Sequence, residues 1–169
     1  MGRTRFDDLN CGIARSLEVL GDWWTLLIIR DAFFGLRRFA DFRQHLGISR
    51  NVLSQRLRHL TEHGILDRVD VGEHGERFEY RLTDKGEALL PVLTTLREWG
   101  DEWVFGEGKE PLVMRERTSG DRLPRTLVRN QEGRPVTRRE IRAEPGPGAD
   151  ASTRRAFGAD RARSVKGRD

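Results

Sequence analysis

The stretch His59-Leu60-Thr61-Glu62-His63 has residue types and a spacing that could bind a metal. It matches H-x-x-E-H, in which two histidines four positions apart share a helix face and hold zinc beside a carboxylate. However, Gly64 ends the stretch, and no acidic third ligand stands on an evident following helix. We therefore interpret these side chains as ordinary polar residues at the end of a helix. We expect no catalytic residue, metal site or cofactor. A metal-dependent hydrolase remains an alternative, and it would lose its zinc on His63→Ala.

A second set of polar side chains has the types that read the edges of base pairs. At 100° per residue, Leu53, Leu57 and Leu60 share a narrow arc of one helix, and this arc must face a core. Asn and Gln pair with adenine and Arg with guanine, so the opposite side of that helix predicts recognition of double-stranded DNA in the major groove. The predicted base-contacting residues are Asn51, Ser54, Gln55 and Arg58.

Basic residues are concentrated around this helix, although the formal net charge of +4 is small. From Arg37 to Arg58 the sequence has six Arg and one acid, Asp41. Residues 1–104 hold 15 Lys and Arg against 17 Asp and Glu, whereas residues 105–169 hold 16 against 10. The high isoelectric point therefore belongs mostly to the C-terminal part, and only the local position of the arginines favours nucleic acid over a merely solvated face.

Further residues are predicted to hold the DNA backbone rather than its bases. One pair lies at the start of the same helix, where backbone N–H groups favour a phosphate. Arg37 and Arg38 lie before the first helix of the predicted helix-turn-helix, where they could grip the DNA backbone. His74 and Arg77, in the loop of a predicted hairpin, would reach a minor groove or a phosphate. These predicted contacts are Ser49, Arg50, Arg37, Arg38, His74 and Arg77.

Four helices and a hairpin must position these side chains. The first predicted helix begins after Asn10 and ends before Gly21, and the others cover residues 23–34, 39–46 and 49–63. Asn10 and Asp22 are predicted N-caps of the first two, and the second is apolar on nearly every side, which predicts burial. Gly47 joins the last two as a helix-turn-helix, and the alternating stretches 65–71 and 78–82 predict a β-hairpin. The predicted fold class is α+β, mainly α: a winged helix-turn-helix with a two-stranded wing.

The rest of the chain is organised around a last helix from Thr83 to Val104, which Pro91 should kink or break near Leu90. Its apolar positions form two adjacent stripes, and the surplus predicts packing against a second subunit. No apolar run approaches the ~20 residues of a membrane span, and no secretory signal is evident, which predicts a cytoplasmic protein. The predicted domains are a flexible arm (1–8), the winged helix-turn-helix and dimerisation domain (9–105), a small accessory extension with short strands at 112–114 and 126–128 (106–148), and a disordered basic tail (149–169).

In these features the sequence resembles the HxlR family of winged-helix regulators, relatives of the MarR group. The matching stretches are Cys11 to Ala14, LGDWWTLLIIRDAFFGLRRFADF (20–42), ISRNVLSQRLRHLTEHGILDR (48–68), YRLTDKGEALLPVL (80–93) and Trp99. The resemblance implies a bacterial transcription regulator that represses or activates nearby genes, as a homodimer held by its first and last helices. The implied dimer contacts are Ile13, Leu17, Leu93, Leu96, Trp99 and Trp103.

Cys11 aligns with a family cysteine that serves some members as a redox sensor. A thiolate at a helix N-terminus has a lowered pKa, and a helix-start residue without a signalling role is the alternative. As the only cysteine, it would pair between subunits or with a small thiol. Gly12 and Arg50 replace prolines common in the family, both at helix starts. Some relatives carry cysteine pairs in the extension, whereas RTLVRNQEGRPV here has none, so no metal is expected there.

The resulting prediction is a homodimer whose recognition helices enter successive major grooves, roughly 34 Å apart, at a pseudo-palindromic operator. The basic tail would add salt-sensitive, non-specific affinity. An oxidant or a small molecule held among the four tryptophans is a candidate effector, although such residues are more often core and interface anchors. A winged helix that binds a protein instead of DNA is the other alternative, and it would have no salt-dependent affinity for DNA.

Overall fold

The computed structural model describes residue 6, residues 8–73 and residues 77–158. The helices are α1 (Gly12–Leu20), α2 (Trp23–Phe33), α3 (Phe39–Leu46), α4 (Arg50–Glu62), α5 (Asp84–Glu87), α6 (Leu90–Gly100) and α7 (Ala151–Phe157). The strands β1 (Leu66–Asp70) and β2 (Phe78–Leu82) form an antiparallel sheet. A π-helical turn (Asp101–Phe105) follows α6, and a 3-10 turn (Arg138–Glu140) precedes α7. No helix within the described residues is long and apolar enough to cross a membrane.

The chain divides into two compact units, and the boundary lies inside α1. The first unit combines the described residues up to Glu18 with those from Leu127 onward, and the second covers Val19–Thr126. This division differs from the boundary predicted near residue 105. The reason is that residues 106–126 bond back to α6, for example through the Thr126 N–H, which donates to the Glu98 carboxylate at 3.0 Å.

The core of the second unit lies where α2, α3, α4 and β1 meet. Its fully buried large apolar side chains are Ile28, Ile29, Phe42, Leu53, Leu57, Leu60 and Leu66. The prediction that the three leucines of α4 face the core is therefore confirmed. Ser49 caps α4, since its Oγ accepts the Val52 N–H at 3.3 Å. Gly47 and Gly64, both at φ 65°, end α3 and α4 in the left-handed conformation that glycine adopts readily.

Two predictions for the first helices were wrong. Asp22 caps α2 as expected, accepting the Trp24 N–H at 3.0 Å, but α2 is not buried all round. Trp23 is 85% exposed, because it lies at the start of α2, outside the sides of the helix that pack against α3, α4, β2 and α6. Asn10 does not cap α1. Its carboxamide instead bonds to the C-terminal residues of its own unit, and Cys11 directly precedes the helix.

The hairpin of β1 and β2 forms the predicted wing. Arg68 lies opposite Tyr80, and Asp70 opposite Phe78. The Tyr80 N–H also donates to the Arg37 carbonyl at 2.8 Å, so the segment before α3 bonds to the outer edge of β2. This bond was not predicted, because a single hydrogen-bonded residue leaves no alternating pattern in the sequence.

The predicted long last helix is broken near Leu90, as expected. Thr83 caps α5, which ends at Glu87, and Pro91 lies in the first turn of α6. Proline is tolerated in that turn because its missing N–H would have no partner inside the helix. The helix then continues into the π-helical turn rather than ending as a regular helix near Val104.

The extension and tail differ from the predictions. Within the described residues, 112–114 and 126–128 form no strand, and the extension has only the isolated bridges Arg115–Arg122 and Arg129–Pro135. Side-chain bonds hold its turns instead: Asn130 Oδ1 accepts the Arg134 N–H at 2.9 Å. The prediction of a disordered tail was wrong for Ala151–Phe157, which form α7, and residues 159–169 lie outside the described residues. The Asp150 N–H and the Thr153 hydroxyl donate to Asn10 Oδ1, and these bonds stabilise the start of α7.

Gly86 of α5 lies against the base of the wing, where a Cβ atom would meet the Ile65 carbonyl oxygen at 2.4 Å and Leu82 Cδ2 at 2.9 Å. We expect Gly86→Ala to lower the free energy of unfolding by about 1–3 kcal/mol, because a backbone oxygen must move. Gly100→Ala is the matched control. It has open space around it and should leave the stability unchanged or raise it by up to ~1 kcal/mol. Equal urea midpoints for the two variants would contradict this.

Candidate nucleic-acid interface

The outward side of α4 carries the four residues predicted to contact bases. Asn51, Ser54, Gln55 and Arg58 are all exposed and line one shallow concave surface, together with Val52. We call these four residues the α4 face. Their orientation follows from the core, since the three leucines that alternate with them along the helix are fully buried.

Arg56 is one of the six arginines between Arg37 and Arg58, but its side chain does not belong to the basic surface. Its guanidinium pairs with the Asp22 carboxylate at 2.9 Å, and its side chain is only 19% exposed. Position 56 lies three residues after Leu53 and four before Leu60, so the helical wheel places it beside the buried arc. Arg56 therefore ties α4 to the start of α2 instead of facing solvent.

The residues predicted to hold phosphates lie around the α4 face and differ in how exposed they are to solvent. Arg38 is exposed and lies 3.9 Å from the Glu79 carboxylate, whereas Arg37 is partly buried. Ser49 and Arg50 are exposed at the start of α4, and the Arg50 guanidinium lies 5.8 Å from the centroid of the Phe39 ring. Arg77 is exposed at the start of β2. His74 lies outside the described residues.

A groove between α4 and the wing contains residues that the sequence reasoning missed. It has a volume of about 520 Å³ and is lined by Phe39, Arg50, Ser54, Arg58, Thr61, Glu62, Arg68, Phe78 and Tyr80. We call it the α4–wing groove. The Arg68 guanidinium lies 3.4 Å from the centroid of the Phe78 ring, a close cation–π contact. The alternation of β1 and β2 could have revealed this pairing, since Arg68 and Phe78 share one face of the hairpin.

Asp70 closes the wing at the end next to its loop. Its carboxylate accepts the N–H of Gly72 at 2.9 Å and the N–H of Arg77 at 3.1 Å, while the Val71 N–H donates to the Arg77 carbonyl at 2.7 Å. These two backbone hydrogen bonds hold the pKa of Asp70 below its ordinary value, and the positive charge of Arg68 acts in the same direction. The wing is thus held together by an ionised carboxylate.

A buried carboxylate joins the two helices that support α4. Asp31 of α2 is fully buried, pairs with the Arg30 guanidinium at 2.7 Å and meets His45 Nδ1 of α3 at 2.8 Å. A buried charge is stable only when it is paired and hydrogen-bonded, so this contact constrains how α2 and α3 pack. The sequence offered no signal for it, because neither helical spacing nor a motif relates positions 31 and 45.

The two histidines of the H-x-x-E-H stretch bond to backbone carbonyls. His59 Nε2 donates to Val19 O at 2.9 Å, His63 Nδ1 donates to His59 O at 2.8 Å, and the ring centroids lie 4.1 Å apart. A ring nitrogen that donates its proton has no lone pair for a metal. Within the part of the chain that the structure describes, no group of three or more His, Cys, Asp and Glu side chains is suited to hold a metal ion.

The residues predicted for dimer contacts and redox sensing are mostly exposed. In the first unit, Ile13 and Leu17 of α1 are exposed, and Cys11 lies in a shallow depression lined also by Asp8, Arg15 and Asp150. In the second unit, Leu96, Trp99 and Trp103 are exposed. Leu93 differs, since it is partly buried and packs against the core. Of the other two tryptophans, Trp24 packs against the core and Trp23 is exposed.

A protein-family model described as HxlR-like helix-turn-helix matches residues 19–107, more than half of the chain. The chain belongs to this family. An uncharacterised helix-turn-helix-type transcriptional regulator of Mycobacterium tuberculosis is 43% identical over 139 residues, which are 82% of this chain and 88% of the relative. This member of the HxlR-like family is therefore a transcriptional regulator with a helix-turn-helix domain, and its two-stranded wing makes the domain a winged helix.

Two solved structures resemble this HxlR-like chain along different lengths. PA1607, described as a candidate transcription factor, has a TM-score of 0.78 and 43% identity, and the match covers 85% of this chain and all of PA1607. The redox regulator HypR in its reduced form has a TM-score of 0.51 and 29% identity, covering 54% of this chain and 91% of HypR. The match to PA1607 extends beyond the length of residues 9–105, so that relative has a counterpart of part of the extension.

The ionised state of Asp70 leads to a prediction about the wing. The bonds to Gly72 and Arg77 should be complete above the ordinary pKa of an aspartate and should be lost as the pH falls through the lowered pKa of the folded protein. Asp70→Ala should remove them at every pH. The amide ¹H and ¹⁵N shifts of Gly72 and Arg77 report this. Asp67→Ala, on the opposite face of β1, is the control and should leave both amides unchanged. Amide shifts that titrate at or above the pH of an unfolded aspartate would contradict the prediction.

Proposed function

We propose that this regulator binds double-stranded DNA in a sequence-specific manner, as a homodimer on a pseudo-palindromic operator. The observation that carries the proposal is the α4 face, where four exposed side chains able to pair with bases stand on the second helix of a helix-turn-helix. Because buried leucines fix the rotation of α4, the face is presented before DNA arrives. A DNA-bound regulator must reach the chromosome, so the proposal includes a cytoplasmic location.

Within this proposal the residues divide into two roles. Asn51, Ser54, Gln55 and Arg58 read base edges, with roughly 1–3 kcal/mol of discrimination for each good bidentate contact. Ser49 and the arginines around α4 and the wing hold phosphates and so set the register on the duplex. The arginines in this second role are Arg37, Arg38, Arg50 and Arg77.

The homodimer rests on apolar surface that a single copy leaves in water. Leu96 and Trp99 of α6 and Trp103 of the following π-helical turn are all exposed, and Trp103 is 69% exposed. Contiguous apolar surface of this kind marks an interaction site, and two copies related by a two-fold axis can cover it. In the other unit, Ile13 and Leu17 of α1 offer a second exposed apolar surface for the same purpose. We leave Leu93 out of the interface because it packs against the core of its own subunit.

Selection of bound sites from random duplexes tests this function. We expect inverted half-sites with centres about 10 base pairs apart, or a multiple of that spacing. Arg58→Ala should relax base preference at one position of each half-site, at a cost of about 1–3 kcal/mol. Arg38→Ala removes the same charge but should weaken all sequences alike. If Arg58→Ala changed neither affinity nor preference, α4 would not be the recognition helix. A chain without salt-dependent affinity would be a protein-interaction module.

We also propose that Cys11 makes DNA binding responsive to oxidants. The cysteine is free and exposed and directly precedes α1, and HypR, which is similar to this chain, is a redox regulator. Treating the protein with a thiol oxidant should change its affinity for the selected duplex about fivefold or more, and reductant should restore it. Cys11→Ser should bind equally well with and without oxidant. An unchanged wild-type affinity, or an equal response from Cys11→Ser, would remove the sensor role.

A further inference from the structure

Two arginines that line the α4–wing groove each lie near a phenylalanine ring. Arg50 of α4 lies over Phe39, and Arg68 of β1 lies over Phe78. A ring contacts the flat face of a guanidinium, whereas its N–H groups point outward in the plane of the group. The contact at 3.4 Å therefore restrains Arg68, whereas Arg50 lies 5.8 Å from the Phe39 centroid, near the outer limit of such a contact, and neither contact occupies a hydrogen-bond donor.

The positive charge in the groove is not neutralised by ion pairs. Among the residues that the structure describes, no carboxylate lies within ion-pair distance of Arg50, Arg58 or Arg68. Asp70 is near enough for the charge of Arg68 to lower its pKa, but its carboxylate is occupied by two backbone N–H groups. Glu62 is the only acid among the described lining residues.

We propose that the α4–wing groove is a phosphodiester-binding site, in which Arg68 and Arg50 hold one stretch of DNA backbone between α4 and the wing. This inference rests on the proposed function and adds a contact from β1, in a groove that borders the α4 face and shares Ser54 and Arg58 with it. Three arginines against one glutamate favour an anion, and the fork of N–H donors on a guanidinium matches two oxygens of a phosphate. Phe78 acts as a positioning residue, because its ring restrains Arg68 before DNA binds.

Glu62 provides an independent test of the proposal, because its negative charge repels a phosphate in the same groove. A carboxylate there weakens the attraction of the three arginines for any anion. If the groove holds DNA backbone, Glu62→Gln must therefore increase affinity. A gain of affinity cannot arise from damage to the fold, so this variant tests the groove independently of substitutions that remove a contact.

The experiment measures fluorescence anisotropy of the full chain with a labelled random-sequence duplex of about 30 base pairs, between about 50 and 200 mM KCl. A random duplex reports phosphate contacts, which do not depend on the operator. Arg68→Ala should weaken binding about three- to tenfold and reduce the steepness of the log–log salt dependence by about 0.9. Phe78→Leu should weaken binding without that change in steepness, because it keeps the charge. Glu62→Gln should tighten binding about twofold or more.

Arg81→Ala is the matched control. It removes the same charge from the wing, but Arg81 lies on the opposite face of the hairpin and pairs with Glu79 at 3.0 Å. Equal losses for Arg68→Ala and Arg81→Ala, or no gain for Glu62→Gln, would overturn the groove as a phosphate site. If Arg38→Ala still weakened binding in that case, the proposed function would stand alone. A wild-type chain that bound no duplex at any salt concentration would overturn the proposed function itself.

A parallel titration with inorganic phosphate at constant ionic strength separates DNA backbone from a free anion. We expect phosphate at millimolar concentration to leave duplex binding by the wild type and by Arg68→Ala unchanged, because a single small anion gains only part of the contacts. Phosphate that bound to the wild type but not to Arg68→Ala, and that left the duplex in place, would overturn the DNA-backbone assignment in favour of a free phosphate ligand.

Discussion

Three leucines of α4 lie fully out of water against the core, and replacing any one by alanine would cost about 2–5 kcal/mol. A helix turns 100° per residue, so rotating α4 by a single position would expose part of this arc and bury Ser54 or Arg58 instead. The hydrophobic arc thus sets the direction of every polar residue on α4. The α4 face, the α4–wing groove and the position of Arg50 over Phe39 all depend on this one rotation.

Polar contacts then fix how the supporting helices meet. Arg56 reaches from α4 to Asp22, which at the same time caps α2, and Asp31 joins α2 to His45 of α3. Removing one partner of a buried ion pair leaves an uncompensated charge, which costs much more than an exposed pair contributes. The buried Asp31 therefore limits relative movement of α2 and α3, and α4 is carried on a support with few alternative packings.

The winged helix could be predicted because its signals are local. Leucine spacing, caps such as Ser49, the glycines that end α3 and α4, and strand alternation each lie within one element. The α4 face followed from the same periodicity. Two of the misses are long-range contacts, since the Tyr80 bond to Arg37 and the burial of Asp31 beside His45 join positions that no short pattern relates. The pairing of Arg68 with Phe78 is different, because it could have been predicted from the strand alternation. The start of α7 has a local cap, in which the Asp150 carboxylate accepts the Thr153 N–H at 2.7 Å, but its bonds to Asn10, some 140 positions earlier, are long-range contacts of the same kind.

The hydrogen bond between Tyr80 and Arg37 has a further consequence. It joins the wing to the segment that leads into α3, so the spacing between the arginines on the two sides of α4 is restrained. A duplex that contacts all of these arginines would need a groove width that matches their spacing. Sequences that narrow or bend easily would fit at low cost, and stiffer ones would pay a deformation energy, even at base pairs that no side chain touches.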